Sequence, residues 1–251
     1  MFRAFIAVFL MAGVSSASVG AAELRDYLVA ASSQLDPRAQ ATLANVDGLG
    51  RQLLAVRGYL RAGSTLDQRW SWTQQQIDAY QDSPAQMARD AEIAKVRTVF
   101  EKNNPGYSLF VNPQVRSVDL QLQRWNSTDS IARAGDHMRL ELEAAISADG
   151  IPPPGTAAGY ARFSELLVTH SPQPVPTLAA PGLSAHGRMN AVDFQVQRGR
   201  RIIAGPDSTM VETMWIAGGW RDRLHAAVVA SSHFTGPLAN PAEPWHYDYQ
   251  P

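Results

Sequence analysis

The stretch Ala191-Val192-Asp193-Phe194-Gln195-Val196-Gln197 alternates apolar and polar residues with the period of a half-buried strand. Val192, Phe194 and Val196 are expected on one face, and Asp193, Gln195 and Gln197 on the other. That places an acid on the polar side of a sheet. Just upstream runs Pro181-Gly182-Leu183-Ser184-Ala185-His186-Gly187-Arg188-Met189-Asn190. A helix through this segment would hold His186 and Asp193 roughly 10 Å apart along its axis. A loop folding back through Gly187 brings them together instead.

The second informative stretch lies near the end of the sequence, where Phe234-Thr235-Gly236-Pro237 is followed by Glu243-Pro244-Trp245-His246-Tyr247-Asp248-Tyr249. Pro244 donates no backbone hydrogen bond, so a strand is expected to begin near Trp245 with Glu243 just outside it. On a straight strand, residues three apart face opposite ways; a kink at Pro244 lets Glu243 and His246 reach one site. His186, Asp193 and His246 then supply three ligands of the kind that catalytic zinc takes, with a fourth position open to water. Glu243 is the candidate general base beside that water. The chain has no cysteine, so any metal must be held by His, Asp or Glu.

With 251 residues, 45% of them hydrophobic, the chain is long enough for one catalytic domain and a helical extension. Its formal net charge of -1 gives no electrostatic reason to expect a nucleic acid partner. Arg3, the apolar run 4–12 and the small residues leading to Ala22 have the three parts of a secretory leader, expected to span residues 1–22. No integral membrane segment is expected after its cleavage, and an exported, periplasmic protein follows.

Residues 23–104 read as a helical region and 105–251 as the domain carrying the site. Ser83-Pro84 is a helix start, and Ser64-Thr65 precedes another helical segment. Met87, Ala91, Ile93, Val96, Val99 and Phe100 form an apolar stripe. Trp70 and Trp72 read as packing residues. Asn103-Asn104-Pro105-Gly106 is a turn, and a strand is expected over 107–111. The proline-rich stretch 150–181 reads as a surface excursion around a short helix over 160–168. Met214-Trp215-Ile216-Ala217-Gly218-Gly219-Trp220 is expected on a helix that ends at the glycines and packs on the sheet. His137, His170, His225 and His233 have no evident acidic frame, although His233 has a place at the cleft edge. The expected fold is α+β: a small, mainly antiparallel sheet with the metal on one face and helices behind.

With these residues in view, the sequence resembles the zinc D-alanyl-D-alanine carboxypeptidase family, the VanY-type enzymes, whose metal-site fold is shared with the Hedgehog signalling domain. Ser184, His186, Ala191 and Asp193 match its middle block, and Glu243, Pro244, Trp245, His246 and Tyr247 its closing block. Arg116-Ser117 with Gln121 matches its first block, although the family's Ser-Gly-Tyr before the arginine is absent. Met189 stands where the family has a spacer glycine, so Gly187 is expected to take the bend. The resemblance implies a Zn2+ cofactor and hydrolysis of peptidoglycan stem peptides, most often release of a terminal D-alanine. It implies oxyanion stabilisation by Arg116, and substrate contacts from Ser184, Gln121 and Trp245. Two other outcomes keep the same zinc: an endopeptidase or L,D-carboxypeptidase selected by the 126–181 region, or a non-catalytic cell-wall-binding protein. A serine hydrolase on Ser184 and His186 lacks the Gly-x-Ser-x-Gly elbow.

Overall fold

The computed structural model describes residues 16–112, 115–231, 233–239 and 242–249. Arg3 and the apolar run of the expected leader lie outside the described residues. The chain begins with helices α1 (Ser16–Ser32), α2 (Pro37–Leu43), α3 (Leu49–Ala62), α4 (Leu66–Arg69), α5 (Gln74–Tyr80) and α6 (Pro84–Asn103). Strand β1 (Ser108–Val111) is followed by α7 (Val118–Ser127), α8 (Asp129–Asp149) and α9 (Ala157–Thr169). Then come β2 (Ala191–Arg198), β3 (Arg201–Ala204), α10 (Trp220–Ser231), β4 (Phe234–Thr235) and β5 (His246–Tyr249). No helix among the described residues is long and apolar enough to cross a membrane.

The fold is α+β with a small antiparallel sheet, in the order β1-β2-β5-β4 with β3 also on β2. Val192, Phe194 and Val196 of β2 are buried while Asp193, Gln195 and Gln197 are only partly so, which is the alternation read from the sequence. The apolar face packs against Ile93, Val96 and Phe100 of α6 and against Trp220, Leu224 and Val228 of α10. A one-residue slip of β2 would turn Asp193 into this core and put Phe194 in water, so the register is strongly fixed. Burying a side chain like Phe194 contributes about 1.5–3 kcal/mol. Trp215 lies in a π-helical turn (Val211–Ile216) that stops before Gly219, whose φ is +67°, and its indole donates to Gly205 O at 2.9 Å.

A second core is mainly helical: residues from α1, α2, α3, α8 and α9, with Trp125 of α7 and the loop residues Val46, Ala180 and Leu183, bury one another. The boundary expected at Asn104 therefore does not divide the packing. Helix α6 belongs to the sheet's core, whereas α7, α8 and α9 complete a core begun by α1 and α3. The stretch 150–181 is likewise more than a surface excursion. Phe163 and Leu167 of α9 are fully buried, and the Tyr27 hydroxyl donates to Ile151 O and Pro152 O at 3.1 and 2.9 Å.

Local signals in α6 are realised at its start, where the Ser83 hydroxyl accepts from Gln86 N at 3.2 Å and Pro84 follows. The apolar stripe is shorter than the sequence suggests, because Met87 is 59% exposed, Ala91 is exposed and apolar burial begins only at Ile93. Thr65 gives no side-chain cap to α4 and donates instead to Ala62 O at 2.7 Å. Trp70 and Trp72 do pack, against Tyr59 and Tyr80 respectively.

Helices α3 and α8 cross at Gly50 and Gly135, where a Cβ on Gly135 would sit 2.8 Å from Gly50 O. Gly135→Ala is expected to cost about 1–3 kcal/mol, typical of overpacking, seen as a lower urea midpoint with an unchanged slope.

Candidate metal centre

Asp193 and His246 face each other across the sheet, since the β2–β5 register pairs Asp193 with His246 directly. Their side chains therefore share the polar face. His246 Nδ1 lies 3.2 Å from Asp193 Oδ1, and His186 Nε2 lies 3.3 Å from the same oxygen. The two imidazoles meet edge to face with centroids 5.0 Å apart. One ligand atom from each of the three residues lies within 4.8 Å of the others, so His186, Asp193 and His246 form a group able to hold a metal ion. The side chains are 11 to 17% exposed, which removes most competing water.

His186 rides on a 3-10 turn, Ala185–Arg188. The bend does not fall at Gly187. Met189 takes it, in the left-handed region at φ +60°, a costly position for a non-glycine residue. Gly187 is needed for another reason: a Cβ there would collide with the Ser71 side chain and lie 2.5 Å from Gln121 Nε2. The turn is laced to the strip 70–72, with Ser71 N donating to Gly182 O at 2.7 Å and Trp72 N to Gly187 O at 2.8 Å. Ser71 Oγ donates to Ser184 O at 3.1 Å.

Glu243 reaches the centre through a tight turn with Pro244 at its second position, closed by His246 N donating to Glu243 O at 3.0 Å. Its carboxylate Oε2 is 3.7 Å from His246 Nδ1. Burial pushes this carboxyl above the usual range, with Asp193 adding to the rise against the opposing pull of His246, His186 and Arg116. Arg116 Nη2 is 4.0 Å from Asp193 Oδ2. Burial lowers its pKa, partly offset by Asp193 and Glu243, and a guanidinium stays charged at neutral pH regardless.

Of the residues expected to touch a substrate, two prove to be supports. Gln121 is 7% exposed, with Nε2 donating to Arg116 O at 2.7 Å and Oε1 accepting from Gly182 N at 3.0 Å. It ties the Arg116 segment to the His186 loop. Trp245 is 4% exposed and packs on Trp215 with centroids 5.9 Å apart, so it anchors the Glu243 turn in the core. Ser184 precedes the His186 turn and contributes its carbonyl, which accepts from Gly187 N at 2.9 Å. His233 is 74% exposed on its side chain and lies 3.6 Å from Glu92.

Two participants are absent from the sequence reading. Asp248 Oδ1 lies 3.4 Å from His246 Nε2, orienting the ring so that Nδ1 faces Asp193; its signal is the two-residue spacing that puts both on one strand face. Arg89 of α6 is 7% exposed and, with Arg116, His186 and Asp193, lines a cavity of about 30 Å³.

No family model, no curated protein and no solved structure matches this chain. What fold and site define is an α+β protein with a desolvated two-histidine, one-aspartate donor group and a second carboxylate, Glu243, beside it.

The support from Asp248 gives one test: Asp248→Asn is expected to weaken binding of a divalent metal ion roughly 10- to 100-fold by competition titration, with the fold intact. Unchanged affinity would show that His246 needs no such partner.

Protonation gives another. Burial raises the Asp193 pKa, but hydrogen bonds from His186 and His246 outweigh it and hold the carboxyl well below the usual range. Burial opposes the charged form of His246, yet Asp193 and Asp248 push its pKa up to about 9. In metal-free protein this His246 contribution is fully present below the unfolded value of about 6.5 and is lost as pH rises through the folded value. Asp193 contributes above about 3.9 and is lost on acidification. Metal-free protein is therefore expected to melt at falling temperature from about pH 6.5 upward. A divalent ion held by the three donors should protect increasingly over the same range, because it competes with the His246 proton. A metal-free His246→Gln protein with the wild-type profile would contradict this.

Proposed function

We propose that this protein is an exported zinc peptidase that acts on peptidoglycan stem peptides as a D-alanyl-D-alanine carboxypeptidase. The observation that carries the reading is Glu243: a carboxylate with a raised pKa, 3.7 Å from His246 in a group that already has three donors. A closed structural site has no use for an additional base at that position. The donor set itself, two imidazoles and a carboxylate with no cysteine in the chain, suits zinc.

A zinc ion bound there supplies Lewis acidity, lowering the pKa of a water and polarising a carbonyl. Glu243 accepts the proton of the attacking water and returns it to the leaving amine, a role suited to a carboxyl whose pKa is raised toward neutrality. Arg116 faces the carbonyl oxygen as negative charge develops on it. Gln121 and Ser71 hold the two loops at their working separation. The substrate class and the Hedgehog-like reading of the fold rest on the resemblance of the Ser184–Asp193 and Glu243–Tyr247 blocks to VanY-type enzymes. The leader-like residues 1–22 support export to the periplasm, where that substrate lies.

Zinc-loaded protein is expected to release D-alanine from a stem pentapeptide and to stop when chelated. Glu243→Gln is expected to keep its zinc and lose at least about 100-fold in kcat. Release that continues without metal, or a fully active Glu243→Gln, would refute the reading. Zinc binding without turnover in either protein would make the centre structural.

A further inference from the structure

A second set of donors converges on the helical layer. His137 and Glu141 lie one turn apart on α8, and His170 is the residue that ends α9. His137 Nε2 is 3.6 Å from Glu141 Oε1, while His170 Nδ1 is 3.2 Å from Glu141 Oε2. One ligand atom from each residue falls within 4.8 Å of the others, as in the first centre. Two helices thus aim imidazoles at opposite oxygens of one carboxylate.

We infer that His137, Glu141 and His170 form a second binding site for a divalent ion of the zinc class, one that clasps α8 to the end of α9. Two imidazoles and a carboxylate are the donors such ions prefer, and a water completes four-coordination. The pair on α8 has the i, i+4 spacing that puts both ligands on one helix face. The third ligand is held in place from another helix, because Arg57 Nε of α3 donates to His170 O at 3.0 Å. The far nitrogens, His137 Nδ1 and His170 Nε2, are buried and have no hydrogen-bond partner among the described residues, so no competing protein network turns either ring away from Glu141. The His170 side chain is only 11% exposed, whereas His137 and Glu141 are 42% and 53% exposed, giving the ion a path from solvent. The consequence of such a site is mechanical. Helix α9 contributes Phe163 and Leu167 to the helical core, and fixing its end fixes the chain that leads from it to the His186 loop.

The test is zinc stoichiometry on the full chain, stripped of metal and titrated with zinc alone. Wild type is expected to bind two ions. His137→Ala with His170→Ala, and separately His186→Ala with His246→Ala, should each bind one; all four changes together should bind none. The zinc-dependent rise in Tm should persist in the His186/His246 variant and vanish from it when Glu141→Gln is added. Should the alanine pair at 137 and 170 unfold, the glutamine pair keeps the side-chain volume and is read the same way. The inference is overturned if the His186/His246 variant binds no zinc, or if loss of His137 and His170 leaves the count unchanged. Because the readout is binding, failure here is separate from failure of the proposed peptidase activity.

Discussion

Asp193 is a carboxylate held largely out of water, and most of what surrounds it follows from the need to offset that desolvation. An ionised carboxyl in such a place requires positive charge or strong donors near it. The fold brings two imidazoles to one of its oxygens and a guanidinium to the other. A divalent cation meets the same need more completely, because it interacts with all three donors at once. The sheet register is what makes the arrangement possible: with Asp193 opposite His246, neither side chain has to leave its strand to reach the other.

The two layers divide the work. One face of the sheet is sealed by α6 and α10, so β2 and β5 are backed by packed side chains where they carry ligands. The other ligand, His186, sits on a loop, and loops are positioned by what they touch. Here the strip 70–72, Gln121 and the close approach at Gly187 set its position, and all of them lead back to the helical core. The helical region is therefore structural support for the centre, since the His186 turn rests on it.

The chain's own residues announced the strands of the site plainly. Period-two alternation gave β2 and its polar Asp193, and Pro244 after Glu243 gave the turn that returns the carboxylate to His246. These are local signals. How the chain divides between the two cores was not legible, because whether α7 to α9 join α1 and α3 depends on packing between segments distant in sequence. Similarly, a motif match fixes residue types and leaves open which way a side chain faces. Gln121 and Trp245, expected from sequence to face a substrate, spend their polar or apolar surfaces inside the protein. Met189 carries a left-handed bend that composition would assign to Gly187, which is instead kept small by Ser71 and Gln121. His137 and His170 look unframed along the chain because the acid they share is reached by one of them through a helix turn and by the other only through tertiary packing.

His186, Asp193 and His246 are arranged to close around one ion. Crystals grown with zinc and measured on both sides of the zinc absorption edge address this directly. The expected result is an anomalous peak bounded by His186 Nε2, Asp193 Oδ1 and His246 Nδ1, at about 2.0–2.2 Å from each, with Glu243 beside it and unbound. Density that shows the two imidazoles still paired to Asp193 with no peak between them, at zinc concentrations that saturate binding, would contradict it.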